Sequence, residues 1–272
     1  MFTDNLVGVI KLFLLKLVFL SSVLPERVRY LITDTLSTIV FILSKKKRDG
    51  VKRNLRLILK TKITAKDVWK VFQEYGRYWA DLPNAYTSFS DATKIFQGDK
   101  LPAPDSNFLG ITFHLGNFEL FGTIICQNHN QKLNVVAERL KPEFLSNYFK
   151  EKRSLYNMET ISHDDLRNII KTLKHGKGLG ILADRLISGN GVEARLFGEK
   201  VTMPLNLVEY AIKEKIPIYI SYCVKDRQKF RIFCKKLDES TDFPKAVNTI
   251  TETLENAVTE YPYQWHVLSP IC

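Results

Sequence analysis

The sequence predicts an α/β fold, a mixed sheet flanked by helices, and three observations carry that expectation. Short runs rich in branched residues (FLGITFH, NVVAE, METIS, LGILAD, IPIYISYCV) alternate with stretches of helical period (NFELFGTIICQ, PEFLSNYFKEKRSLY, DDLRNIIKTLKHG, LNLVEYAIKEK). Such alternation is what strands and crossover helices of one sheet leave in a sequence. The alternation begins only after Pro102 and Pro104, and what precedes it is apolar or helical. The 272 residues contain no internal repeat, a length that buries one continuous core and predicts no second full domain.

Leu6 to Leu24 is almost wholly apolar and is interrupted by Lys11 and Lys16. Its length just reaches the roughly 20 residues a helix needs to cross a bilayer. A lysine at mid-membrane costs on the order of 2.5–3.5 kcal/mol, so a helix lying in the membrane surface suits both lysines better. Pro25, Glu26 and Arg27 follow where a signal peptide would place small residues, so the segment is expected to be a retained anchor. A second apolar stretch, Val28 to Ser44, runs into KKKR at positions 45 to 48, then Lys52, Arg53 and Arg56. Basic residues directly after apolar helices hold a protein on an anionic leaflet. The expected division is an apolar anchor with its basic segment over residues 1–48 and a catalytic domain over 49–272.

From Thr64 to Leu82 the apolar residues Val68, Val71, Phe72, Tyr75 and Trp79 recur at helical spacing, and Thr64 with Asp67 forms a capping pattern. A helix from Lys245 to Glu260 closes the chain before a tail bearing proline and tryptophan.

The net charge of +11 points to polyanionic partners: nucleic acid, anionic lipid headgroups or an acidic carrier protein. No helix-turn-helix, paired zinc ligands or aromatic-basic RNA signature accompanies it, which argues against nucleic acid. Cys126, Cys223, Cys234 and Cys272 show no CxxC spacing, so neither a zinc knuckle nor a disulfide framework is expected. They read as reduced thiols on the cytoplasmic side.

The chemistry-bearing candidate is FHLGNFEL, with His114 and Glu119. On one helix, five positions would set the pair about 140° apart. His114 instead sits at the end of the predicted strand FLGITFH and Glu119 on the first turns of the next helix, a junction where catalytic groups of α/β sheets gather. Gly116 lets the turn pass close to a substrate, and the N–H groups of the new helix offer a site for negative charge. A neutral imidazole removes a hydroxyl proton while a carboxylate on its other nitrogen fixes the tautomer, and Glu119 is the expected carboxylate. No G-x-S-x-G elbow supplies a serine nucleophile and no H-E-x-x-H binds zinc, so direct attack by an acceptor hydroxyl is the simpler route. By pattern alone, the alternative reading of Asp184 is the cap of the following turn and that of Arg153 a surface helix residue; His129, His163, His175 and His266 have no partner at informative spacing.

Several ordered motifs together carry a resemblance over most of the chain: LSSVLPERV, KRNLRLIL, GRYWADL, FHLGNFEL, AERLKPEFLSNYFKEKRSLYNM, ILADRLISGNGVEARLFGEKVTMP and YPYQWHV. The sequence resembles the late lipid A acyltransferases, the lauroyl and myristoyl transferases of bacterial lipopolysaccharide synthesis, a family that includes phosphatidylinositol mannoside acyltransferases. The resemblance implies a glycerolipid acyltransferase-like α/β domain, anchored by its N-terminal helix to the cytoplasmic face of the inner membrane. It implies a fatty-acyl donor, an acyl carrier protein thioester or acyl-coenzyme A, a phosphorylated glycolipid acceptor, and no cofactor or metal. It places catalytic roles on His114, Glu119, Arg153 and Asp184. Arg139 occupies the basic position before the L-K-P segment, where it or Arg153 would neutralise an acceptor phosphate or the oxyanion, and Asn117 would orient the loop. Arg185 stands where many lipid A enzymes have glutamine, a form closer to the mannoside branch, and Leu196 where the family often has phenylalanine.

Overall fold

From Glu26 to Ala85 the chain is mostly helical. The computed structural model describes residues 9, 16–18, 20–85, 94–103, 106–129, 132–175, 178–187 and 189–272. The predicted anchor from Leu6 to Leu24 lies largely outside the described residues. Among those described, no helix is long and apolar enough to cross a membrane.

Helix α1 (Glu26–Leu43) is the expected second apolar stretch, α2 (Lys45–Leu59) starts within the basic run, and α3 (Ala65–Ala85) follows. The Thr64 cap forms as the pattern predicts: its N–H donates to the Asp67 carboxylate at 3.0 Å, and the Asp67 N–H donates to the Thr64 hydroxyl at 3.3 Å. Helix α1 turns its polar side inward. Arg29, Thr33 and Ser37 are buried, whereas Leu31, Ile42 and Leu43 are 68%, 64% and 77% exposed. The reason lies in α3, which offers polar partners: the Tyr30 hydroxyl donates to Asp81 at 2.7 Å, Gln73 donates to the Asp34 carbonyl at 2.9 Å, and Arg77 holds the Asp34 carboxylate at 2.9 and 3.1 Å. Gly76 permits the approach, since a Cβ there would meet Ser37 Oγ at 2.0 Å. The Arg48 guanidinium closes on the carbonyls of Phe41 and Ile42 at the C-terminal end of α1, where positive charge is favoured.

The alternating region builds β1 (Lys94–Gly98), β2 (Phe108–Thr112), α4 (Phe118–His129), β3 (Leu133–Ala137), α5 (Glu143–Ser154), β4 (Met158–Ser162), α6 (Leu166–Lys174), β5 (Gly178–Leu182), β6 (Val192–Leu196), β7 (Glu199–Met203), α7 (Asn206–Lys213), β8 (Ile218–Asp226), β9 (Lys229–Lys236) and α8 (Phe243–Glu260). Seven strands form one mixed sheet in the order β1-β9-β8-β2-β5-β3-β4, parallel except for the β8–β9 hairpin. Strands β6 and β7 pair as a separate antiparallel hairpin.

Side chains alternate across the sheet, so β2 feeds two cores. Leu109, Ile111 and Phe113 join Leu179 and Ile181 of the β5 segment, together with Leu55 of α2 and Ile250 and Leu254 of α8. Phe108 joins Leu120 and Ile124 of α4 with Ile232 of β9 on the other face. Each such side chain contributes about 1.5–3 kcal/mol by leaving water. The central position of β2, flanked by β5 and β8, brings three strand ends to one point.

Candidate active site

Strand register builds the site. Thr112 of β2 lies opposite Leu182 of β5, and the Ala183 N–H continues the ladder to the Thr112 carbonyl at 2.8 Å. Two residues beyond that rung, His114 and Asp184 leave adjacent parallel strands together. The Asp184 carboxylate accepts a hydrogen bond from His114 Nδ1 at 2.8 Å through Oδ1. Its Oδ2 accepts the backbone N–H of His114 at 2.9 Å and the indole N–H of Trp265 at 2.8 Å. Asp184 is buried, and burial works against its ionisation. The facing imidazole, the indole N–H and the backbone N–H outweigh that penalty and hold the carboxyl below its usual range. An ionised acceptor fixes the proton on Nδ1 and leaves Nε2 for a reactant.

This corrects the expected partnership. The carboxylate on His114 is Asp184, not Glu119, because the parallel ladder of β2 and β5 carries Asp184 to the imidazole while Glu119 departs on the first turn of α4. Asp184 is equally no simple turn cap. Glu119 instead meets Arg153, at the last turn of α5, whose Nε lies 3.2 Å from both carboxylate oxygens and whose Nη2 donates to Oε1. The pair is almost enclosed, with side-chain exposures of 14% for Arg153 and 8% for Glu119. Arg153 is therefore no surface helix residue. Phe118 stands beside His114, ring edge to face at 5.6 Å between centroids.

Arg139 is exposed and 3.5 Å from Asp164, and Arg185, just after β5, meets Glu138, just after β3, at 2.9 Å. Asp184 and Arg185 also line a cleft of about 500 Å³ closed by Lys200, Val201 and Met203 of the β7 hairpin.

The turn after His114 is clamped from two sides. Gly116 adopts φ +58°, and a Cβ there would stand 2.2 Å from the Cys223 carbonyl oxygen of β8. The Gly116 N–H donates to the Gln264 carbonyl at 2.9 Å and the Asn117 N–H to the Cys223 carbonyl at 2.7 Å. Asn117 Oδ1 accepts the Leu120 N–H at 3.1 Å and caps α4. These three N–H groups are occupied, so the expected anion site is not formed from them.

The tail segment YPYQWHV does what no spacing rule foretold. The His266 N–H donates to the His114 carbonyl at 2.7 Å, and Nε2 of His266 lies 3.1 Å from the Gly116 carbonyl. Burial keeps this imidazole neutral, its pKa lowered to about 3. Trp265 and His266 were legible only as members of a recurring motif. Among the described residues no cluster of three or more His, Cys, Asp or Glu side chains forms a metal site.

The sequence profile of the family described as bacterial lipid A biosynthesis acyltransferase matches residues 5–271. The chain belongs to that family. Curated relatives of this acyltransferase include the phosphatidylinositol mannoside acyltransferase of Mycobacterium tuberculosis, 25% identical over 214 residues, which cover 73% of this chain and 67% of the relative. The protein of the same name from Mycolicibacterium smegmatis is 26% identical over 164 residues, covering 58% of this chain and 54% of the relative. Both alignments are distant enough that the acyltransferase's own side chains, rather than a transferred assignment, carry the reading of its site.

Proposed function

We propose that this acyltransferase moves a fatty-acyl group from a thioester donor to a hydroxyl of a glycolipid, with His114 as general base. The observation that carries the reading is the His114–Asp184 hydrogen bond at 2.8 Å, reinforced by the Trp265 indole on the same carboxylate. Nε2 of neutral His114 takes the hydroxyl proton as the oxygen attacks the thioester carbonyl carbon. The carbon–oxygen bond forms, the carbonyl oxygen takes the negative charge, and Asp184 stabilises the imidazolium. Collapse of the tetrahedral intermediate breaks the carbon–sulfur bond, and the imidazolium returns the proton to the departing thiolate.

The family description favours a lipid A precursor as acceptor; the positive net charge suits a phosphorylated acceptor and an acidic acyl carrier protein as donor. The names of the curated relatives support a second acceptor, a phosphatidylinositol mannoside or another glycolipid; the donor in this second reading is acyl-coenzyme A. We place the reaction at an anionic cytoplasmic leaflet of the inner membrane, which the outward apolar side of α1 and the adjoining basic residues of α2 would touch. Arg139, Arg185 and Lys200 stand near the strand ends as candidates for the acceptor phosphate.

Mass spectrometry of lipids from cells lacking the protein tests the acceptor: one missing acyl chain is expected, on a lipid A precursor or on a mannoside. A purified His114→Ala variant that still transfers acyl groups at the native rate would remove the catalytic reading. One that binds glycolipid without transfer supports it over a purely lipid-binding protein.

A further inference from the structure

The segment that carries Trp265 to Asp184 has no regular structure downstream of it: residues 266 to 272 belong to no helix or strand. Its upstream end is seated on β8, where the Gln264 amide accepts the Lys225 N–H at 2.9 Å and donates to the Lys225 carbonyl at 2.7 Å. Its downstream end is seated on α2 by the Asn54 side chain. Asn54 Nδ2 donates to the carbonyls of Val267 at 3.0 Å and Ser269 at 2.9 Å, and Oδ1 accepts the Ile271 N–H at 3.2 Å. Both amide N–H groups and the carbonyl oxygen are thus spent on alternate residues of one stretch of backbone, as a neighbouring strand would spend its own.

The seat is shaped as well as bonded. Gly50 lies one turn before Asn54, and a Cβ there would stand 2.4 Å from the Leu268 carbonyl oxygen and 3.2 Å from Pro270. Val51, Leu55 and Ile58 already give α2 its apolar side, so the buried Asn54 and Gly50 serve the segment rather than the general packing of the helix. What lies between the two seats is Trp265, buried, with its indole N–H on Asp184 Oδ2 at 2.8 Å. Of the three donors on Asp184, two belong to His114 itself, its Nδ1 and its backbone N–H. The indole is the third, and it ties the dyad to a different part of the fold.

We propose that Asn54 is a positioning residue of the active site: by strapping residues 267 to 271 to α2 it holds the Trp265 indole on Asp184, and through it the carboxylate on His114. This rests on the general-base reading of His114 and adds to it a group on a helix outside the sheet. No bond or proton changes at Asn54.

Full-length protein in detergent, labelled with nitrogen-15 tryptophan, tests it first by spectroscopy. The indole N–H resonance of Trp265, assigned by its loss in Trp265→Phe, is expected to move toward the free-indole position in Asn54→Ala and in Gly50→Ala. Gly50→Ala keeps Asn54 and favours the helix, so it reads displacement of the segment rather than damage to α2, and it carries the test should Asn54→Ala fail to fold. Rates are then measured with lauroyl thioesters of acyl carrier protein and of coenzyme A, on a lipid A precursor and on phosphatidylinositol mannoside. In both strap variants kcat should fall by about tenfold with KM unchanged, and in Trp265→Phe by about 10- to 100-fold, the worth of one hydrogen bond to a buried carboxylate. Asn54→Ala should cost nothing further in the Trp265→Phe protein, whereas a merely structural seat lowers the rate alike in both backgrounds. Additive losses, native kcat in both strap variants, or an unmoved indole resonance overturns the proposal. Transfer at the native rate by His114→Ala sinks the general-base reading separately and leaves the indole result standing.

Discussion

Nδ1 of His114 and Oδ1 of Asp184 stand 2.8 Å apart although 70 residues separate them in the chain. The offset is the register of β2 on β5, in which Phe108 faces Gly178 and each later rung repeats the same interval. The dyad is thus an extension of a parallel ladder past its last strand residue.

Asp184→Asn leaves the geometry in place but offers Nδ1 an amide. It should lower kcat by about 10²–10⁴, comparable to the loss expected for His114→Ala. Steady-state rates with saturating donor and acceptor measure both. If Glu119→Gln costs as much while Asp184→Asn is silent, the base is oriented by the other carboxylate after all.

The Glu119–Arg153 pair is enclosed, so removing either partner leaves an uncompensated charge. Glu119→Leu or Arg153→Leu alone should cost about 3–5 kcal/mol in denaturant unfolding, and the double variant markedly less than their sum. A single variant of native stability with lost activity would move the pair into direct substrate contact.

His266 is neutral when folded, with its pKa lowered from 6.5 to about 3. The unfolded chain binds a proton below about pH 6.5 that the folded chain refuses down to about pH 3. Stability therefore declines as pH falls through that window, by at most about 1.4 kcal/mol per unit from this group. Unfolding midpoints of His266→Phe should show a flatter acid limb than the native chain; parallel limbs would contradict the assignment.

Leu31, Leu36 and Leu43 lie on the outward side of α1 and are exposed. Replacing all three with serine should lower binding to anionic vesicles by about 10²-fold or more, given about 1.5–3 kcal/mol for each fully buried leucine. Neutralising Lys45, Lys46 and Lys47 should weaken it by about 1 kcal/mol each, in a salt-dependent manner. Sedimentation with vesicles reads both, and unchanged binding in the leucine variant would assign membrane contact to another surface.

Most of the sheet was legible because its central strands β2, β3, β5 and β8 are predominantly apolar runs read in the sequence; the edge strand β4 coincides with METIS, which was read as well. Strands β1, β6, β7 and β9 were missed for a common reason. KIFQG, VEARL, EKVTM and KFRIFCKK mix charged with apolar residues, as edge and hairpin strands do when one face meets water. Within the site, His114 was legible from a strand end. Its true partner was not, since a five-residue spacing shows local neighbours and only the β2–β5 register brings Asp184 across. Trp265 and His266 act through backbone carbonyls and a carboxylate far away in sequence, contacts that no linear period encodes.

The reversed orientation of α1 bears finally on how the reaction is counted. A helix that satisfies its hydroxyls and carboxylates against α3 and leaves leucines facing out suits the membrane surface proposed above, a boundary between two media. An enzyme held at such a boundary meets its lipid by lateral diffusion, so its rate follows the lipid's mole fraction in the surface rather than its bulk concentration. Diluting the acceptor with inert lipid or detergent at constant total amount should slow turnover, whereas adding more of the same mixture should saturate it.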